Sequence, residues 1–146
     1  MNQDASTLLT WDFVVSQMAD ARYYWLSTVT AAGAPHAAPV WGIWVGNRLH
    51  FDGSAQTKWA RNLAHDARVT VHLASGERVV ILEGVARTLA DDALTDDEWS
   101  ELDGAYQAKY ETDQGSPFRY VEPTKVLAWD GEMLTNMTRW SFAPSK

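Results

Sequence analysis

Phe51-Asp52-Gly53-Ser54-Ala55-Gln56-Thr57-Lys58-Trp59-Ala60-Arg61-Asn62-Leu63 carries an apolar strand through a turn of small residues into a helix that opens with polar groups and a lysine. A helix start leaves several backbone N–H groups unpaired and carries a partial positive charge. A lysine placed there makes a seat for a phosphate. Asn62 follows Lys58 by four residues, so the spacing puts both on one helix face. A surface helix with a solvated lysine is the other reading of the same pattern.

Upstream of this stretch the pattern is one of strands. Arg48 through Phe51 reads as a strand, and Gly46-Asn47 as a two-residue hairpin turn before it. His36 through Val45 reads as the preceding strand, with Pro39 inside it. Proline cannot donate to a ladder, so Pro39 marks an edge, a bulge or a break. Ala31 to Pro35 is a turn signal, and Tyr23 to Thr30 is rich in aromatic and β-branched residues. Residues 10–21 read as a helix with Thr10 as N-cap and Val14, Val15, Met18 and Ala21 on one stripe. Residues 1–9 read as a loose lead-in.

Downstream, the helix that this stretch opens is expected over about 56–65. Val69, Val71 and Leu73 alternate with Thr70 and His72, as in a half-buried strand. Arg78 to Leu89 reads as a long strand in which Gly84 marks a bulge or a barrel corner. Thr95-Asp96-Asp97-Glu98 is a capping box, and Trp99, Leu102, Tyr106 and Tyr110 then repeat at helical spacing. A loop over 111–117, a strand from Thr124 to Trp129, a turn at Asp130-Gly131 and a last strand from Met133 to Trp140 complete the reading. About six strands with short turns and two or three helices predict a mainly β (α+β) fold, a small antiparallel barrel with flanking helices.

The length of 146 residues predicts one domain, 1–146, with a single core. Cysteine is absent, which excludes disulfides and thiolate metal sites and, with no basic-then-apolar leader, points to the cytoplasm. No apolar run is long enough to cross a bilayer, so no membrane partner is expected. A net charge of -7 argues against broad nucleic-acid binding. The 8 tryptophans read as core filler or interface, or as a wall for a flat ligand.

Several pieces in order resemble a known superfamily. They are the Gly33-Ala34-Pro35-His36 turn, the Ala38-Pro39-Val40-Trp41 strand, the hairpin and Phe51-Asp52-Gly53-Ser54. Thr57 to Ala64, Asp66-Ala67-Arg68-Val69, Thr124 to Trp129 and Thr138 to Phe142 follow. This order resembles the split β-barrel flavin and deazaflavin oxidoreductases, the superfamily of pyridoxamine 5'-phosphate oxidase. It is most similar to the branch that uses the deazaflavin coenzyme F-420, and the likeness runs over about residues 20–142. The resemblance implies a homodimer with cofactor sites at the subunit interface. It implies a cofactor phosphate at Lys58 with Ser54, Gln56 and Thr57 around it, and a ring against Pro39, Val40 and Trp41. Arg139 resembles the C-terminal arginine that reaches the site. The second strand differs from the vitamin B6 oxidases in carrying no arginine or lysine, so a grip on a substrate phosphate is missing. FMN is the alternative cofactor, held less firmly for the same reason.

Read from the residues alone, an uncharged strand and a lysine at a helix start suit a small molecule that is flat at one end and phosphorylated at the other. Such a cofactor carries the hydride chemistry itself, so no catalytic side chain is assigned. His36 lies beside the expected ring wall and could face a ligand or be an ordinary strand residue; a ligand-facing His36 would fit a non-catalytic cofactor or tetrapyrrole carrier on the same barrel. The four histidines form no metal pattern. No nucleophile elbow, P-loop or dinucleotide fingerprint is present. The reading is therefore an oxidoreductase passing a hydride to a small conjugated or aromatic substrate.

Overall fold

The computed structural model describes residues 8–114 and 117–143. The lead-in expected at 1–9 falls mostly outside them, and the 111–117 loop in part. The elements run α1 (Trp11–Asp20), β1 (Tyr24–Val29), β2 (Pro35–Val40), β3 (Gly42–Val45), β4 (Arg48–Asp52), α2 (Lys58–His65), β5 (Arg68–His72), β6 (Arg78–Thr88), α3 (Asp96–Tyr110), β7 (Phe118–Asp130) and β8 (Thr138–Ser141). Every strand pairing is antiparallel. The sheet order is β2-β1-β5-β6-β7-β4-β3, with β8 on β7. The two end strands, β2 and β3, are consecutive in the chain. The sheet therefore curls until its margins meet at Trp41, joined by the chain and not by a ladder.

The second expected strand, 36–45, is two. It breaks at Trp41, two residues beyond Pro39, and the halves go to opposite margins. Pro35 and Pro39 both lie in β2, a margin strand, where a missing donor is tolerated. The seventh strand is longer than expected. It starts at Phe118 and passes through Pro123. Its first part pairs β4 from Phe118 to Val121, and its last part pairs β8 from Lys125 to Ala128. Pro123 falls in the fork between them, opposite Gly84, where the β6 register shifts. A Cβ on Gly84 would lie 2.2 Å from Glu122 O, so the bulge requires glycine there. The last strand is shorter than expected, and eight strands replace about six.

Inside the barrel, Leu26, Val71, Leu82, Val126, Leu49 and Phe51 are fully buried. Val14 and Met18 of α1 join this core, as do Trp59, Ala60 and Leu63 of α2. A second core lies outside the barrel, where Leu102, Tyr106 and Tyr110 of α3 cover Ile43 and Phe118. The helix signals act as read. Thr95 and Glu98 form the reciprocal cap of α3, and Gly46 and Asn47 both take positive φ in the hairpin turn.

Candidate functional site

The turn before α2 is built from its own side chains. The Ser54 carbonyl accepts from the Thr57 amide at 3.1 Å and from Thr57 Oγ1 at 2.9 Å. Ser54 Oγ accepts from the Gln56 amide at 3.1 Å. Thr57 is the N-cap, its hydroxyl accepting from the Ala60 amide at 3.2 Å. The helix thus starts at Lys58, later than the expected 56, and Lys58 occupies its first position, exposed to solvent. The first bond of the helix ladder is Arg61 N to Thr57 O, so the amides of Lys58 and Trp59 precede it. Thr57 spends its hydroxyl on the turn as both donor and acceptor, while Ser54, Ala55, Gln56 and Lys58 are exposed.

Asn62 does not stand beside Lys58 in solvent. It is 7% exposed and donates to Thr28 Oγ1 at 3.0 Å. That bond turns one side of α2 toward β1. Lys58, one turn earlier, sits on the outer rim of the same side.

The expected ring ledge is not one surface. Val40 is buried in the barrel core and Pro39 is exposed. Trp41 packs outside the barrel on Tyr110, ring parallel to ring at 4.5 Å. Strand alternation separates Pro39 from Val40, and the break at Trp41 carries its indole to α3. His36 is half-buried opposite Thr28, and its Nδ1 is buried with no hydrogen-bond partner. Arg139 is exposed on β8 and borders a separate cleft with Leu127 and Met137.

An open groove of about 590 Å³ lies on the outward face of β1, β5 and β6. Its walls include Ser27, Val29, Pro35, Thr70, Glu83 and Val85. None of the residues expected at a cofactor lines it. Its connection to them is Thr28, which borders the groove and takes the hydrogen bond from Asn62. The groove and α2 therefore both meet β1 at Thr28. Beyond the groove the same sheet face carries half-buried Trp25, Ile81, Leu127 and Trp129. Among the described residues no group of acidic, histidine or cysteine side chains could hold a metal, and no helix is long and apolar enough to cross a membrane.

Two clusters were not legible in the sequence. Arg119 Nη1 donates to Gly53 O at 3.1 Å, and its guanidinium lies 5.1 Å from the Trp59 ring centroid. Only the bulk of Trp59 close after Gly53 could have hinted at a pinned turn. The second cluster surrounds Gly42. Tyr110 Oη accepts from its amide at 2.8 Å, while Lys109 Nζ donates to its carbonyl and to Tyr24 Oη, each at 2.8 Å. Burial and the nearby Arg22 lower the Lys109 pKa to about 8, and burial raises that of Tyr24. On β4, burial and then Arg48 lower the His50 pKa to about 4, so that imidazole stays neutral.

The pyridoxamine 5'-phosphate oxidase family model matches residues 11–130. Comparison with curated proteins finds no significant match. Among solved structures, a conserved hypothetical protein from Mycobacterium tuberculosis superposes with a TM-score of 0.71 at 18% identity, over 89% of this chain and 90% of that one. A heme binding protein from Mycobacterium smegmatis gives 0.69 at 21% identity, over 97% of this chain and 60% of the other. An F420 reductase gives 0.57 at 19% identity, over 76% and 94%. These likenesses show a shared fold.

Proposed function

The chain belongs to the pyridoxamine 5'-phosphate oxidase family, and from that premise we propose that it binds the deazaflavin coenzyme F-420 and passes a hydride to a small conjugated or aromatic substrate. The observation that carries the proposal is the junction of the open groove with the rim of α2. The groove volume of about 590 Å³ is on the scale of a cofactor site. Val29, Pro35 and Val85 give it apolar walls, and Thr28 joins it to α2, the helix that Lys58 opens. A flat ring in the groove would leave its anionic end to Lys58 and the first amides of α2.

When bound, the cofactor supplies the hydride-carrying ring. The chain supplies position, and no side chain of this site is assigned a proton. Because β2 brings no charge to a phosphate, the anionic end of either cofactor would rest on Lys58 and the first amides of α2. A groove this open needs a cover that excludes water. A second copy of the chain provides it in this reading, seated on the face of Trp25, Ile81, Leu127 and Trp129, with Arg139 of one copy reaching the other.

The same barrel as a tetrapyrrole carrier is the second reading, and one observation favours it. His36 keeps a buried ring nitrogen without a partner beside Thr28. Titration of the purified protein with coenzyme F-420, FMN and hemin separates the readings. Tight deazaflavin binding and oxidation of the reduced form by an added acceptor support the proposal. Tight FMN binding without deazaflavin binding overturns the cofactor. Hemin binding lost in His36→Ala, with no redox turnover, replaces the enzyme with the carrier.

A further inference from the structure

We infer that Arg119 is a positioning residue that holds the Gly53–Lys58 turn in the shape that receives the anionic end of the cofactor. The inference rests on the reading of that turn as the anion seat, and adds to it a residue far away in the chain. Arg119 is paired across the ladder with Phe51, at the end of the barrel that α2 covers. Its guanidinium is bonded to the Gly53 carbonyl and lies over the Trp59 ring. Among the described residues it forms no ion pair with a carboxylate. An arginine half withdrawn from water with no counter-charge is therefore committed to a main-chain oxygen and an indole face.

The indole works on the same glycine from the other side. A Cβ on Gly53 would stand 2.3 Å from Trp59 Cζ2. Phe51 fixes that indole edge-on at 5.4 Å. Gly53 is thus held at its α-carbon by Trp59 and at its carbonyl by Arg119. The peptide unit is planar, so a fixed Gly53 carbonyl fixes the direction of the Ser54 amide. Ser54 in turn holds Gln56 and Thr57, and Thr57 caps the helix at Lys58. Orientation passes along this series from a β7 arginine to the seat.

The test compares ligands with and without the phosphate. Affinities of wild type, Arg119→Met, Arg119→Lys and Gly53→Ala are measured for coenzyme F-420 and its phosphate-free deazariboflavin head, and for FMN and riboflavin. Thermal unfolding reports whether each variant is folded, and Arg119→Lys stands in if Arg119→Met is not. Arg119→Met is expected to weaken the phosphate-bearing ligand about tenfold or more while the phosphate-free one stays within about twofold. Arg119→Lys should recover part of the loss, Gly53→Ala should reproduce it with Arg119 intact, and adding Lys58→Ala to Arg119→Met should cost little more. An equal loss for both members of a pair, or no loss, overturns the inference and leaves the cofactor reading standing. A wild type that binds none of the four ligands removes the reading and the inference together.

Discussion

Trp41 and Tyr110 lie ring on ring, 2° from parallel with centroids 4.5 Å apart. The pair ties the point where the sheet margins meet to the last turn of α3, and Arg22 covers both rings at 5.6 and 5.3 Å. Tyr110 Oη also satisfies the Gly42 amide next to the join. Tyr110→Phe keeps the stack and orphans that buried amide. It should lower unfolding free energy by about 1–3 kcal/mol in denaturant titration. A change below about 0.5 kcal/mol would mean that the amide finds another partner.

Thr28 and Asn62 are both buried and bonded to each other. Thr28→Val leaves the Asn62 amide buried without its acceptor and should cost about 1–3 kcal/mol. Thr28→Val with Asn62→Leu removes both polar groups and should cost less than the sum of the single changes. Additive losses would show that the pair does not act as a unit.

Stability should depend on pH in two windows. His50 has a folded pKa of about 4 against an ordinary 6.5. Between those values the unfolded chain binds a proton that the folded one does not, so stability falls as pH drops from 6.5 toward 4. Lys109 has a folded pKa of about 8 against 10.5. By the same sign, stability falls as pH drops from 10.5 toward 8. Urea midpoints across pH for wild type, His50→Leu and Lys109→Gln check both, and each variant should flatten its own window.

Lys58→Ala should weaken coenzyme F-420 by about 1–3 kcal/mol, the scale of a hydrogen bond to a charged group. Lys58→Arg should retain most of the affinity, and added salt should narrow the gap between wild type and Lys58→Ala. Fluorescence titration reads each value, and equal affinities for wild type and Lys58→Ala would clear Lys58 of the role.

Much of the fold was legible because its signals are local. Gly46-Asn47 takes the two positive φ angles that its hairpin needs, and Thr95 and Glu98 close their cap within one turn. Gly84 marks its bulge. Pro123 misled because it reads as a strand boundary. A fork in the pairing makes its missing donor harmless, and a fork is a property of β4 and β8, distant in sequence. The site was legible only at its start. Thr57 and Lys58 stand at the helix opening as their types require. Asn62 went inward because its partner, Thr28, is on another strand. Trp41 left the ledge for Tyr110, and Arg119 reaches Gly53 from β7. Each of these depends on contacts between segments that local patterns do not encode.

The union of β2 with β3 through Trp41 makes the molecule a bracelet with an unlatched clasp. One lip of the clasp is studded with Pro35 and Pro39 and the other is only four residues long. Neither lip offers a foreign strand a long run of free amides, so the gap stays open without inviting fibrous stacking. A cylinder zipped all the way round would resist reshaping. Here the slit is held instead by one residue of chain, by the Trp41–Tyr110 stack and by the bonds of Tyr110 and Lys109 to Gly42.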